Sequence, residues 1–257
     1  MNDLEKRIAF SSDVPDATVI AYKTLDSTNS EARRLAERGY KGPTLIIARE
    51  QSAGRGRMGR SFYSPKDSGL YMTALFRASE SPSDTVQLTT SAAAVTAMAI
   101  EELLQIRVDI KWVNDLYLGG KKICGILCES FEALGRRFAV VGIGINLSTV
   151  DFPSELADIA GSLGVGEDIR DDLAAKIFSL LWRSYHTTDK GEIIAYYKER
   201  SIVIGKRIFF VEDGKKHFAR VLDIDEFGRL LVSLDNGGEK ILSSGEITLR
   251  LDGGDGK

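Results

Sequence analysis

The sequence predicts an α+β protein, with a central mixed β-sheet flanked by helices and then a small all-β unit. Three observations support this fold class. β-type and helical segments alternate up to about residue 200, short β-type runs separated by glycine turns follow, and 257 residues suffice for a large and a small domain. We therefore expect one domain over residues 1–202 and a second, a small β-barrel, over residues 203–257.

The predicted elements follow from hydrophobic periodicity and turn residues. Strands are expected at residues 18–23, 44–49, 69–76, 107–110, 116–118, 123–129 and 138–147, and then at 206–211, 216–224, 229–234 and 240–242. Helices are expected from residue 28 to a stop at Gly39, and at 86–104, 168–185 and 192–200. Thr28 and Glu31 fit a capping box, and Leu103 is expected on the buried face of the second helix.

Composition and charge restrict the classes of function. The net charge is −3, whereas proteins that bind nucleic acid non-specifically normally carry a basic excess. No apolar run approaches the ~20 residues of a membrane span, and residues 1–12 do not resemble a secretory signal. Cys124 and Cys128 fall in one predicted strand, which separates their Cα atoms by roughly 13 Å, too far for a disulfide. We expect two buried thiols and a reducing, cytoplasmic location.

Residues 51–60, the Gly/Arg loop, hold three glycines and three arginines within seven residues, between two predicted strands. Glycine permits positive φ and lets backbone N–H groups approach a ligand, and the arginine fork matches carboxylate or phosphate oxygens. The loop therefore fits a small-anion site. A mobile solvated loop and an arginine–glycine patch for nucleic acid fit the same composition.

Other polar residues lie at the ends of predicted elements. Ser27, Thr28 and Asn29 occupy a helix N-terminus, where they either meet a ligand or only cap the helix. Gly142 and Gly144 fall on one face of a strand, which indicates close packing of a ligand or of another backbone. The remaining charged and amide groups near strand ends are Lys111, Asn114, Asp115, Lys122 and Asn146.

Motifs for nucleophilic catalysis are missing from the sequence. It contains no Gly-x-Ser-x-Gly elbow, no Cys/His pair at a plausible site and no Walker A loop. Gly54, Gly56 and Gly59 match the letters of a dinucleotide-binding fingerprint, but the arginines and the following strand do not suit that motif. The remaining cationic, amide and carboxylate groups predict a site for a polyanion such as a nucleotide, with Mg²⁺ at a carboxylate.

Four stretches together resemble the biotin protein ligases, in that family's order. They are Ser27-Thr28-Asn29, the Gly/Arg loop, Lys111-Trp112-Val113-Asn114-Asp115 with Lys121-Lys122-Ile123-Cys124-Gly125-Ile126-Leu127, and Gly142-Ile143-Gly144-Ile145-Asn146. The resemblance runs from about residue 18 to residue 250. It implies a biotin–lipoate ligase catalytic domain, similar to class II aminoacyl-tRNA synthetases, and a C-terminal SH3-like barrel.

The resemblance implies a reaction in two steps. The carboxylate of biotin attacks the α-phosphate of ATP, giving biotinyl-5′-AMP, and a lysine of a biotin carboxyl carrier domain then attacks this anhydride. Such an enzyme needs no covalent nucleophile of its own, which agrees with the missing motifs.

The resemblance also implies roles for individual residues. Lys122, Arg55 and Arg57 would act at the reacting carboxylate and phosphate, and Asp115 would hold Mg²⁺. Residues expected around biotin are Ser27, Thr28, Asn29, Gln51, Gly54, Arg55, Gly56, Arg57, Lys122, Gly142 and Gly144. Residues expected around the nucleotide are Arg57, Arg60, Phe62, Lys111, Asn114, Asn146 and Arg250.

The sequence departs from the family pattern in three respects. Phe62 stands where some members have a tryptophan that stacks on adenine, and Val113 replaces a common proline. Only about 17 residues precede the first predicted strand, too few for the family's DNA-binding domain. We therefore expect a monofunctional ligase that does not bind DNA.

Two alternatives remain open at this point. A lipoate or octanoate ligase or transferase would share the fold, and a nucleic-acid-binding module would use the Gly/Arg loop for a different purpose. The acidic balance opposes the second alternative. The expected partner is a biotin carboxyl carrier protein, no membrane contact is expected, and both a monomer and a homodimer are compatible with the sequence.

Overall fold

The computed structural model describes residues 3–4, 14–40, 42–78, 85–186, 190–243, 245 and 247–249. The larger sheet contains β1 (Asp3–Leu4), β2 (Thr18–Tyr22), β3 (Thr44–Ala48), β4 (Gly69–Arg77), β5 (Asp109–Lys111), β6 (Asp115–Leu118), β7 (Lys121–Ala133) and β8 (Arg136–Asn146). The smaller sheet contains β9 (Arg207–Glu212), β10 (Lys215–Ile224), β11 (Leu230–Leu234), β12 (Glu239–Leu242) and β13 (Ile247–Leu249). The helices are α1 (Thr28–Glu37), α2 (Thr85–Leu104), α3 (Arg170–His186) and α4 (Gly191–Glu199).

The larger sheet is mixed, in agreement with the predicted fold class. Its strand order is β1-β2-β3-β4-β8-β7-β6-β5, with β2 and β3 parallel and the other neighbours antiparallel. The chain enters the Gly/Arg loop from β3 and returns along β4. Between β6 and β7, Gly119 and Gly120 have positive φ of 57° and 79°, as a tight hairpin turn requires.

Helices cover both faces of the larger sheet. Alternate residues of a strand point to opposite faces. On one face α1 packs against residues such as Ile46 and Val140. On the other face α2 and α3 pack against residues such as Val141. Gly142 and Gly144 share the α1 face with Val140, so the space beside the N-terminus of α1 lies over these two glycines.

The smaller sheet is antiparallel throughout, in the order β12-β11-β10-β9-β13. Its five short strands agree with the predicted SH3-like description. Among the described residues β12 and β13 do not pair, so the pairing does not close into a complete barrel there.

Two local expectations are wrong. The residue that caps α1 is Ser27, it makes no side-chain capping bond, and Glu31 forms an ion pair with Arg34 instead of completing a capping box. Leu103 is exposed, whereas the next residue, Leu104, packs against the core.

The two cysteines are buried and unpaired in β7, as predicted. Among the described residues, no helix is both long enough and apolar enough to cross a membrane.

Candidate active site

The Gly/Arg loop folds back on itself. Gly54 O accepts a hydrogen bond from Phe62 N at 2.9 Å, and Gly56 N donates to Arg60 O at 2.7 Å. The turn enclosed by the inner pair, residues 57–59, ends with Gly59 at a φ of 75°, a value that residues with a Cβ rarely adopt. Residues 54–60 therefore form a short flap.

Gln51, the first residue of the loop, satisfies the N-terminus of α1. Its Oε1 accepts from the backbone N of Thr28 at 2.8 Å and from Thr28 Oγ1 at 3.1 Å, and its Nε2 donates to Ser64 Oγ at 2.9 Å. The first N–H groups of a helix have no partner inside the helix. A side chain from the Gly/Arg loop therefore supplies the cap that Ser27 does not provide.

Thr73 connects Thr28 and Asn29 and was not singled out by sequence reasoning. It is fully buried on β4, and its Oγ1 lies 2.8 Å from Thr28 Oγ1 and 2.7 Å from Asn29 Oδ1. The Thr73 hydroxyl is the donor toward both oxygens and shares its one hydrogen between them, because Asn29 Oδ1 only accepts and Thr28 Oγ1 donates to Gln51. Asn29 Nδ2 donates to Glu129 Oε2 at 3.0 Å and to Leu127 O at 3.3 Å. A polar network thus runs from the Gly/Arg loop to β7.

Arg55 extends this network back to the flap. Its two terminal nitrogens donate to the two carboxylate oxygens of Glu129 at 3.1 Å and 2.7 Å, the bidentate geometry that suits a guanidinium group. The sequence marks Glu129 only as an acidic residue that follows the apolar residues of β7. The fork of Arg55, expected to hold a ligand carboxylate, holds a carboxylate of the protein.

Three glycines on neighbouring strands form the bottom of the site, and we call them the glycine patch. They are Gly142 and Gly144 on β8 and Gly125, the cross-strand partner of Gly144 on β7. A Cβ at Gly142 would lie 2.0 Å from Asn29 Oδ1, and a Cβ at Gly144 would lie 2.5 Å from the Phe62 ring. The glycine patch therefore makes room for two side chains of the protein, which in turn border the space for a ligand.

The turn that follows β5 is held from two sides. Trp112 Nε1 donates to Gly228 O of the smaller sheet's β10–β11 loop at 2.9 Å. Val113 O accepts from Tyr197 OH of α4 at 3.1 Å. The replacement of the family's proline by Val113 therefore leaves this turn tied to both its neighbours.

Arg57 joins the flap to this turn and to the C-terminal part of the chain. One terminal nitrogen donates to Asn114 Oδ1 at 3.0 Å, and the other donates to Gly245 O at 3.1 Å. The second contact brings the segment before β13 to the edge of the site. Arg250, which follows β13 in the sequence and was expected to reach the nucleotide, lies outside the described residues.

Lys122 and Asp115 form an ion pair beside Asn114, at the same end of the site as Arg57. The distance from Lys122 Nζ to Asp115 Oδ1 is 2.8 Å, and the side chains are 35% and 21% exposed. The angular geometry is not that of a hydrogen bond, so this buried oxygen has no hydrogen-bond partner among the described residues. Lys111 Nζ lies 5.8 Å from the centre of the Tyr117 ring. Lys111, Lys122 and Asp115 therefore place two positive charges and one negative charge at this end of the cleft.

Most of these groups line one open cleft of about 930 Å³, solvent included, whereas Thr73 and Glu129 are not among the residues that line it. The predicted residues that line it are Ser27, Thr28, Asn29, Gln51, Arg55, Gly56, Arg57, Arg60, Phe62, Lys111, Asn114, Asp115, Lys122, Gly142 and Gly144. The lining residues that sequence reasoning did not single out are Met58, Ser61, Trp112, Gly125, Ile126, Leu127, Ile143, Gly245 and Ile247.

Two predicted residues are not brought to the surface of this cleft. A Cβ at Gly54 would lie 2.4 Å from Phe62 O, so Gly54 permits the flap to close on itself. Asn146 is buried beyond the glycine patch, where its Nδ2 donates to Gly161 O at 2.8 Å. Both residues support the cleft from behind.

The thiols are unsuited to nucleophilic catalysis. Both cysteines lie within the core cluster that packs on α2 and α3. Burial raises the pKa of Cys128 to about 12 and raises that of Cys124 well above its usual value. A thiolate is the reactive form of cysteine, so neither residue is poised to attack a ligand in the cleft.

Comparison with known proteins identifies the family. Residues 21–147 match the Biotin/lipoate A/B protein ligase family, and residues 203–250 match the Biotin protein ligase C terminal domain. The bifunctional ligase/repressor BirA of Bacillus subtilis is 34% identical over an alignment 253 residues long, which covers 95% of this chain and 78% of that protein. The biotin--[acetyl-CoA-carboxylase] ligase of Mycobacterium tuberculosis is 28% identical over 86% of this chain and 85% of its own.

The solved structures agree with the sequence comparisons. The biotin protein ligase of Aquifex aeolicus in complex with biotin and ATP has a TM-score of 0.75 and 27% identity. The similarity covers 90% of this chain and 98% of that one. With its two matched domains and a relative above 30% identity along most of its length, the chain belongs to the biotin protein ligase family.

Proposed function

We propose that the protein is an ATP-dependent biotin protein ligase, which makes biotinyl-5′-AMP and transfers biotin to a lysine of a biotin carboxyl carrier domain. The observation that carries this proposal is the cleft itself. Lys122, Arg57 and Asn114 border it at one end, while the polar network of Thr28 and Asn29 borders it at the other. The names of the relatives support the same reaction.

In the first step a carboxylate oxygen of biotin forms a bond to the α-phosphorus of ATP. The bond from that phosphorus to the bridging oxygen breaks, and pyrophosphate leaves. Negative charge gathers on the α-phosphoryl oxygens in the transition state, so fixed cations beside it accelerate the step. Lys122 and Arg57 are the cations that we assign to this task.

The donor set at Asp115 suits a magnesium ion bound together with ATP. Magnesium binds proteins through one or two carboxylates and takes its remaining ligands from phosphates and water. Asp115 offers a buried carboxylate oxygen that lacks a hydrogen-bond partner. The described residues contain no group of three or more His, Cys, Asp or Glu side chains that could hold an ion by themselves. When bound there, the ion would neutralise phosphate charge.

In the second step the neutral amine of the carrier lysine attacks the carbonyl carbon of the anhydride. The bond from that carbon to the AMP oxygen breaks, and the amine loses a proton. The Gly/Arg loop and the segment at Gly245 meet over one end of the cleft through Arg57. We assign to them the exclusion of water from the anhydride before the carrier arrives. The need for ATP favours a cytoplasmic location.

Transfer of radiolabelled biotin to a recombinant carrier domain tests the proposal. We expect label on the carrier only when ATP is present, and no label on a carrier whose acceptor lysine is replaced by arginine. Attachment of lipoate or octanoate but not biotin would instead establish the first alternative. Salt-sensitive binding of RNA or DNA without any transfer would establish the second.

A further inference from the structure

We infer that Glu129 is a positioning residue of the biotin site, which fixes the orientation of Asn29 and the place of Arg55. The inference rests on the proposed function and deepens it. Three elements meet at this one carboxylate: Glu129 projects from β7, Asn29 from the first turn of α1, and Arg55 from the flap.

The contacts use both oxygens of Glu129. Oε1 accepts from Arg55 at 2.7 Å, whereas Oε2 accepts from Arg55 at 3.1 Å and from Asn29 Nδ2 at 3.0 Å. The Glu129 side chain is 22% exposed and the Arg55 side chain 44% exposed. The carboxylate is thus the less exposed partner and is carried by β7, which pairs with β8 at this position (Glu129 opposite Val140). It can therefore serve as the fixed point for the more exposed arginine.

Glu129 also determines which way the amide of Asn29 points. A carboxylate only accepts hydrogen bonds, so the Nδ2 end of Asn29 must face it. The Oδ1 end then faces Thr73, whose hydroxyl donates to it at 2.7 Å. Both hydrogens of Nδ2 are used, on Glu129 and on Leu127 O. Asn29 can therefore offer a ligand only its carbonyl oxygen, which selects an N–H donor such as those of a cyclic urea.

The same contacts change the expected task of Arg55. Its two terminal nitrogens already bind a carboxylate, and that carboxylate balances its charge. Attraction of the anionic end of biotin and of ATP therefore falls first to Arg57, whose partners Asn114 Oδ1 and Gly245 O carry no net charge. Arg55 instead holds the flap against β7 at the uncharged end of the biotin site.

A different role for Glu129 would predict the opposite change in biotin affinity when its charge is removed. If Glu129 only occupied Arg55 until a ligand carboxylate displaced it, removal of its charge would release Arg55 and tighten biotin binding. If Glu129 positions Asn29 and Arg55, removal of its charge loosens both and weakens biotin binding. The direction of the change therefore separates the two roles.

The experiment uses Glu129→Gln, with Glu132→Gln as the matched control. Glu132 lies on the same strand, but its side chain is 70% exposed and its ion pair with Arg137 is long at 3.4 Å. The dissociation constant for biotin is measured by calorimetry, and the KM for ATP and the thermal stability are measured alongside it. We expect Glu129→Gln to raise the biotin dissociation constant by about tenfold or more, as loss of charge-assisted hydrogen bonds does. Glu132→Gln should match the wild type.

A conservative variant separates positioning from a merely structural role. Glu129→Asp keeps an acceptor-only group, so it should recover part of the biotin affinity and leave the KM for ATP unchanged. Unchanged or tighter biotin binding in Glu129→Gln would overturn the inference, as would equal losses of affinity for biotin and ATP. Failure of the wild-type protein to bind biotin at all would instead contradict the proposed function.

Discussion

Replacing Lys122 by alanine is expected to slow biotinyl-5′-AMP formation by about a thousandfold, since removal of one charge-stabilising donor typically costs about 10²–10³ in rate. The variant loses a cation 2.8 Å from Asp115, so the Asp115 carboxylate is left to repel the triphosphate. Rapid-quench measurement of adenylate formation in a single turnover isolates this step from the later transfer.

Lys121→Ala is the matched control for this prediction. Lys121 is the adjacent residue, and its Nζ donates to Ala157 O outside the cleft. It should retain the wild-type rate. Lys122→Ala should also transfer biotin from chemically prepared biotinyl-5′-AMP nearly as fast as the wild type. A wild-type rate of adenylate formation in Lys122→Ala would remove Lys122 from the assigned site.

Replacing Arg57 by alanine is expected to release biotinyl-5′-AMP about a hundredfold faster, because Arg57 is half-buried and loss of one partner of a desolvated charged contact acts mainly on the dissociation rate. Arg57 connects the flap to Asn114 Oδ1 and to Gly245 O. The variant therefore loses both a cation beside the phosphate and the link that holds the flap to the C-terminal segment. Displacement of labelled adenylate by excess unlabelled adenylate measures the rate.

Two further variants divide these contributions of Arg57. Arg57→Lys keeps the charge but cannot form two hydrogen bonds in fork geometry, so we expect an intermediate release rate. Arg107→Ala removes an exposed arginine whose pairing with Glu199 is long at 3.4 Å, and it should behave as the wild type. Retention of the adenylate by Arg57→Ala at the wild-type level would contradict the role of the flap.

The order of elements could be predicted from the sequence because its signals are local. A continuous run of apolar residues marked β8, and Gly119 and Gly120 between two apolar runs are typical of the hairpin turn found there. The spacing of motifs also indicated which residues gather in the cleft, since each motif sits at an end of an element. Leu103 shows the limit of periodicity, because its spacing matches the apolar face of α2 although its neighbour Leu104 is the residue that packs against the core.

Contacts between distant segments could not be predicted in this way. Thr73 is one polar residue in an apolar strand. Its hydrogen bonds to Thr28 and Asn29 form only because folding places β4 beneath these two residues. The role of Glu129 likewise depends on its contact with Arg55, which lies 74 residues earlier in the chain. The charge of Arg55 alone does not reveal that its partner is inside the protein. For the same reason, the sequence did not show that the side chains of Asn29 and Phe62 lie against the glycine patch.

The most direct test of the account is the identity of the compound that the protein makes and holds in this cleft. The wild-type protein is incubated with biotin and ATP, separated from free ligands, denatured and analysed by mass spectrometry. We expect biotinyl-5′-AMP to stay with the protein when both substrates are supplied. Neither biotin alone nor lipoate with ATP should yield a retained adenylate. Retention of a lipoyl adenylate without a biotinyl one, or of no adenylate, would contradict it.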